Sequence, residues 1–145
     1  MCGIFGIFPS KMGIEEKENV INKAKKILKN RGPDNQDEWI GEEHEPLLVH
    51  TRLSLLDLSY RGNQPMISKS GRTIMIYNGE IYNYKNLDIL NTRNKGGIIT
   101  KGSSDTEILL ECIEKFGESN LLNDINGMYA FATWDREKEI LSLVR

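Results

Sequence analysis

The residue with the most chemistry in this sequence is Cys2, because loss of Met1 would leave its thiol and a free α-amino group on one residue. A nucleophile and its base are then joined covalently. An α-amine ordinarily titrates at about 7.7 to 8.0, so near neutrality it accepts the thiol proton directly or through one water. This is one of the ways in which Cys, Ser or Thr is activated as a nucleophile. Taken alone, Cys2 is better read as a small hydrophobe in an apolar first strand. The other polar candidates have equally plain local readings. Arg52 is a charge at a strand end, Asp105 a first-turn residue favoured by the helix dipole, and Asn78-Gly79 a turn signal. His50 reads as a packing or hydrogen-bonding residue because the amine already supplies a base, and Cys112, on an apolar helix stripe, as inert. Cys2, His44, His50 and Cys112 lack the close paired spacing of metal ligands, so no metal site is expected.

These residues need elements to position them. Cys2 to Phe8 clusters Ile and Phe around two glycines and predicts a buried strand at the very start of the chain. From Ile14 to Asn30 the apolar residues Val20, Ile21, Ala24, Ile27 and Leu28 recur at helical spacing, with Glu early and Lys late. Arg31-Gly32-Pro33-Asp34 ends that helix, Gly32 as a left-handed cap and Asp34 closing a turn. Strands are expected at Glu38 to Ile40, Leu47 to Arg52 and Thr73 to Tyr77, the last running into the Asn78-Gly79 turn. Ile81 to Leu90 reads as helical and Asn91 to Gly97 as a polar loop. Ser104 with Glu107 has the form of a capping box for a helix carrying Ile108, Leu109, Cys112, Ile113 and Phe116 and ending at Gly117. Met128 to Trp134 and Glu139 to Val144 form a hairpin about Asp135-Arg136-Glu137-Lys138. The order of elements describes an α+β protein with helices packed on largely antiparallel sheets.

Composition removes several classes. The 145 residues suit one domain, and 39% hydrophobic with 28% charged residues is the balance of a folded globular chain. With 19 basic against 21 acidic residues and no basic run, a nucleic-acid backbone or an anionic membrane surface is not an expected partner. No apolar run approaches the roughly 20 residues of a membrane span, and no basic segment precedes the first apolar one, as a secretory signal requires. A cytoplasmic location is expected, and two isolated cysteines make a disulfide framework improbable.

Six segments stand out together: Met1-Cys2-Gly3-Ile4-Phe5-Gly6, Arg31-Gly32-Pro33-Asp34, His50-Thr51-Arg52-Leu53-Ser54, Asn78-Gly79-Glu80-Ile81-Tyr82-Asn83, Ser103-Ser104-Asp105-Thr106-Glu107 and Asn126-Gly127-Met128-Tyr129-Ala130-Phe131-Ala132. In their order they resemble the class II glutamine amidotransferase domain of glutamine-hydrolysing asparagine synthetases. That resemblance implies an N-terminal-nucleophile hydrolase-like αββα sandwich of antiparallel sheets. It implies that Cys2, freed of Met1, attacks the side-chain amide carbon of L-glutamine, and that ammonia leaves as a thioester forms. The Asn78 side chain and the Gly79 backbone N–H match the oxyanion donors, which are worth on the order of 3 kcal/mol each at such an oxygen. Arg52 matches the clamp for the α-carboxylate and Asp105 the partner of the α-ammonium, with Leu53, Leu55, Leu56 and Glu80 as pocket walls or backbone contacts.

The resemblance further implies that the ammonia serves ATP-dependent amidation of aspartate in a C-terminal synthetase domain. No glycine-rich pyrophosphate loop occurs in these residues, so ATP and Mg belong to that other domain and no cofactor is expected in this one. Residues 1–145 are therefore expected to be a glutaminase domain that stops short of its full fold, with the synthetase domain absent and a homodimer left open for the parent enzyme. Two alternatives stay open at this point: an amidotransferase half for a different acceptor, such as a sugar or another carboxylate, and a glutamine-binding fragment without turnover.

Overall fold

A computed structural model describes residues 1–55, 57–87 and 104–145. Among these residues the main elements follow in order: β1 Gly3–Ile7, α1 Ile14–Leu28, β2 Asn35–Ile40, β3 Leu47–Arg52, β4 Met66–Ile67, β5 Thr73–Ile81, α2 Asp105–Phe116, α3 Glu118–Leu121, β6 Gly127–Asp135 and β7 Ile140–Val144. A 3-10 turn, Tyr60–Gly62, precedes β4. One antiparallel sheet has the order β1-β3-β2 and the other β4-β5-β6-β7.

Side-chain alternation along the strands builds four layers. On β3, Leu47 and Val49 face outward to Ile21 and Ala24 of α1, while Leu48 faces inward to Ile74, Ile76, Ala132 and Trp134 of the other sheet. On β5, Met75 and Tyr77 face outward to Leu109, Cys112 and Ile113 of α2. Both faces of β3 and most of β5 are thus covered, and all six residues of β3 are buried. Apolar area removed from water stabilises at about 25 cal/mol per Å2, so these doubly covered strands carry most of the driving force for folding. The order helix, sheet, sheet, helix is the αββα arrangement expected from the sequence. None of the described helices is long and apolar enough to cross a membrane.

Local expectations were met where short-range chemistry decides. Ser104 caps α2, its Oγ accepting from Glu107 N–H at 3.3 Å, and Gly117 ends the helix at φ 82°. The β6–β7 hairpin turns on Asp135, whose Oδ1 accepts from both Glu137 N–H and Lys138 N–H at 3.1 Å. The Arg72 guanidinium, paired with the same carboxylate, holds it at a pKa of about 2. Residues 84–87 are helical, but Ile81, expected to open that helix, ends β5 and residues 82–83 form a turn; positions 88–90, the loop over Asn91 to Gly97 and Ser103 lie outside the described residues. The short elements β4 and α3 had no periodic signal to announce them.

Three local readings are corrected. Asn78-Gly79 is not a turn: β5 runs through it to Ile81, with Asn78 opposite Ala130 and Gly79 opposite Tyr129. Gly32 is not a left-handed cap, since α1 closes on a right-handed Lys29. It is small because a methyl group there would overlap the Thr51 carbonyl of β3. Asp34 does not close a turn on itself; its Oδ2 accepts from Ser54 N–H at 2.7 Å and pins the segment leaving β3.

One buried hydrogen bond joins the two sheets beside the site. His50 of β3, fully buried, donates through Nε2 to the Tyr77 carbonyl of β5 at 3.1 Å, which leaves Nδ1 a bare lone pair without a partner among the described residues. Burial, with the nearby Arg52 charge as a smaller cause, lowers its pKa from the ordinary 6.5 to about 4. The unfolded chain therefore takes up this proton first as pH falls. The stability held by neutral His50 is fully present above pH 6.5 and is lost progressively down to about 4, an amount of about 3 kcal/mol. His50→Gln keeps an N–H donor but cannot titrate, so its unfolding free energy, followed by urea denaturation from pH 7 to 4, is expected to fall less steeply than that of the parent chain.

Candidate active site

The chain enters the fold at Cys2, immediately before β1. Arg31 Nε donates to the Cys2 carbonyl at 3.1 Å, which ties the terminus down. Antiparallel pairing of β1 with β3 places Gly3 opposite Thr51, so the thiol lies against Leu53. Leu53 N–H donates to Cys2 Sγ at 3.5 Å, and the thiol in turn faces the Leu53 carbonyl at 3.8 Å. The sulfur is thereby oriented in both its protonated and its anionic form.

A cavity of about 240 Å3 opens beside it, lined by Cys2, Arg52, Leu53, Leu55, Asn78, Gly79, Glu80 and Asp105 among others. Every candidate named from the sequence lies on this one lining, apart from Leu56, which is outside the described residues. Leu55 is 69% exposed and stands with Glu80 at the rim rather than in the wall.

Ladder parity on β5 decides what Gly79 offers. Tyr82 N–H donates to the Asn126 carbonyl at one end of the β5–β6 pairing, and Arg136 N–H to the Arg72 carbonyl at the other. Even-numbered residues of β5 therefore bond to β6, and odd-numbered N–H groups point away from it. Of these, Tyr77 N–H meets Gln64 Oε1 at 2.6 Å and Ile81 N–H meets Asp105 Oδ2 at 3.0 Å. Gly79 N–H lies between them on the cavity wall, past the end of the short β4, and has no acceptor among the described residues. A side chain at 79 would come within 2.6 Å of Tyr129 Cα, so only glycine lets β5 and β6 close here. Next to it, Asn78 has its Oδ1 buried and unpaired, which leaves the two Nδ2 hydrogens as the end of the amide available to the cavity.

Arg52 ends β3 and is 7% exposed. Its Nη1 donates to the Ser59 carbonyl at 2.7 Å and to Asn63 Oδ1 at 2.8 Å, and its Nη2 donates to the Asp57 carbonyl. Three of five N–H donors are spent on the 57–63 segment. Nε and the second Nη2 hydrogen remain, and they form one side-on fork for a carboxylate. Gly62 permits this, because a methyl group there would overlap Nη2. Gly62→Ala is expected to push the guanidinium aside and raise the KM for an α-carboxylate substrate by roughly tenfold, with kcat changed less, as steady-state kinetics would show.

On the same lining Asp105, the first residue of α2, is buried and takes donors on both oxygens: Tyr77 OH at 2.8 Å and Ile81 N–H on Oδ2, Thr106 N–H at 2.9 Å and Thr106 Oγ1 at 3.4 Å on Oδ1. Gln64, Gly62, Asp57, Thr106 and Tyr77 also line it and were not singled out from the sequence. Tyr77 and Thr106 had only their adjacency to Asn78 and Asp105 as a signal, and the other three had none.

A cysteine at the head of the first strand thus opens into a cavity within an αββα sandwich. The family model described as a glutamine amidotransferase domain matches residues 1–145. The chain belongs to that family. Asparagine synthetase [glutamine-hydrolyzing] 3 of Bacillus subtilis is 33% identical over 100% of this chain and 23% of its own length. Asparagine synthetase B of Escherichia coli is 32% identical over 96% of this chain and 24% of its own. Amidase chry2 of Gibberella zeae is 31% identical over 94% and 19%. The chain thus spans about a fifth to a quarter of the length of these curated relatives. A solved structure of glutamine PRPP amidotransferase from Bacillus subtilis, 23% identical, overlaps 62% of this chain and 21% of that one with a TM-score of 0.49.

Proposed function

We propose that the domain hydrolyses L-glutamine to L-glutamate and ammonia through a thioester on Cys2. The observation that carries this reading is the convergence on one cavity of the Cys2 thiol, the unused Gly79 N–H, the spare fork of Arg52 and the Asp105 carboxylate. An arginine fork and a carboxylate on one lining suit the α-carboxylate and α-ammonium of an amino acid, whose side-chain amide would then be offered to the sulfur on that lining. Once Met1 is gone, the Cys2 amine takes the thiol proton and the thiolate attacks the amide carbon. Negative charge on the amide oxygen meets Gly79 N–H and Asn78 Nδ2, two donors already in place. The tetrahedral intermediate collapses as the amine returns its proton to the leaving nitrogen, releasing ammonia. Water then hydrolyses the thioester to glutamate. Met1 is 67% exposed, which leaves it open to removal.

The ammonia, in this reading, is consumed by a synthetase domain elsewhere in a longer protein, which amidates aspartate with ATP and Mg. The names and the greater length of the relatives support this. A free thiol at Cys2 functions best in a reducing compartment, in keeping with a cytoplasmic setting. The test is intact mass after treatment with a glutamine-shaped electrophile. A chain lacking Met1 and carrying one adduct is expected; retention of Met1 with no adduct would instead leave a glutamine-binding domain without turnover.

A further inference from the structure

Tyr77 is tied at every polar group it owns. Its N–H donates to Gln64 Oε1 at 2.6 Å, its carbonyl accepts from His50 Nε2 at 3.1 Å, and its hydroxyl donates to Asp105 Oδ2 at 2.8 Å. The three partners belong to the segment before β4, to β3 of the other sheet and to the start of α2. The residue is 2% exposed. Burial, and after it the Asp105 carboxylate, pushes the phenol well above its ordinary value, so it stays a donor throughout the range in which a protein is folded. Nothing in the chemistry at Cys2 requires a hydroxyl at this position, which lies on the outward, α2-facing side of β5.

The two oxygens of Asp105 are held unequally. Oδ2 is committed to Tyr77 OH and Ile81 N–H, whereas Oδ1 takes Thr106 N–H and a contact to Thr106 Oγ1 that is the longest of the four, at 3.4 Å. A hydroxyl rotates, so this lone pair of Oδ1 is the one a substrate cation can claim. Torsion about the last bond of an aspartate is broad, and without the Tyr77 hydroxyl one backbone N–H would be left to hold each oxygen in place, Ile81 on Oδ2 and Thr106 on Oδ1. We propose that Tyr77 is a specificity-determining positioning residue: its hydroxyl locks the Asp105 carboxylate so that Oδ1 is presented to the α-ammonium of the substrate. The inference rests on the reading of glutamine as substrate and of Asp105 as its ammonium partner.

Tyr77→Phe keeps the ring and its packing and removes only the donor. The full chain is assayed with L-glutamine and with glutaramate, the same amide and carboxylate without the α-amino group. KM for glutamine is expected to rise roughly tenfold, the scale of one hydrogen bond to a charged group, with kcat within about twofold and KM for glutaramate within about twofold. In an Asp105→Asn background the same substitution is expected to leave the glutamine-to-glutaramate preference where Asp105→Asn set it. Equal losses on both amides, or a loss in kcat alone, would overturn the proposal. If Asp105→Asn does not lower the preference for glutamine over glutaramate, the ammonium assignment of Asp105 fails and the role of Tyr77 fails with it. If Asp105→Asn lowers that preference and Tyr77→Phe does not, the role of Tyr77 alone is wrong and the reading of the site stands.

Discussion

Cys2→Ala is expected to abolish ammonia release from glutamine, a fall on the order of 10^4-fold or more, while the thermal midpoint stays within a few degrees of the parent chain. The chemical loss is large because, among the described residues of the cavity wall, Cys2 carries the only thiol. Removing the nucleophile from a covalent mechanism costs nearly the whole acceleration above what binding and oxyanion donors alone supply. The structural loss is small because Cys2 is only half-buried and precedes the first ladder pair, so one sulfur leaves no core cavity. A continuous ammonia assay checks the first part and a melting curve the second. Mass spectrometry adds a control: Cys112, on the core-facing side of α2 and 1% exposed, should take up no adduct, and Cys112→Ala should leave adduct formation on Cys2 intact. Residual turnover in Cys2→Ala within a hundredfold of the parent would remove the thioester from the mechanism.

Arg52→Lys should lower kcat/KM for glutamine by roughly 100-fold and leave the alkylation of Cys2 by a small uncharged reagent such as iodoacetamide within about threefold. The physical reason lies in the count of donors. Arg52 spends three N–H groups on the Ser59 and Asp57 carbonyls and on Asn63 Oδ1, and still keeps a two-pronged edge toward the cavity. A lysine ammonium has three donors at one point, so it cannot hold the 57–63 segment and also present a fork. A lost bidentate contact to a carboxylate is worth about 2 to 3 kcal/mol, which gives the stated factor. Alkylation needs only the sulfur and its approach, neither of which involves the guanidinium. Comparable losses in both measurements would mean that Arg52 shapes the thiol's surroundings and does not select the substrate.

The local part of this architecture could be read without coordinates. Ser104 and Glu107 lie three residues apart, and Gly117 follows the last apolar residue of the stripe, so the limits of α2 were legible in a short window. The same is true of α1 and of the hairpin at Asp135. Asn78-Gly79 misled for the opposite reason. As a dipeptide it favours a turn, yet β5 continues through it because Asn78 to Ile81 pair with Gly127 to Ala130, residues about fifty positions away. Tertiary pairing overrides a turn preference worth about 1 kcal/mol when four more ladder positions and a buried Ile81 are gained by continuing. Gly32 misled in the same way, its small size being needed for a neighbouring strand and not for its own dihedral angles.

What the residues determined by themselves was membership and inventory: six short segments in one order, a cysteine next to Met1, and an arginine and an aspartate of the right kind for an amino-acid zwitterion. What only the tertiary structure decided was which atoms of that inventory are free. Strand parity left Gly79 N–H unpaired while its neighbours at Tyr77 and Ile81 were taken, the 57–63 segment left Arg52 with one open edge, and Tyr77 reached Asp105 across the top of α2. The division has a simple cause. Caps and helical stripes are settled by residues three or four apart, whereas the β5–β6 register joins residues 46 to 62 positions apart, and a slip of one residue would exchange every free donor for a bonded one.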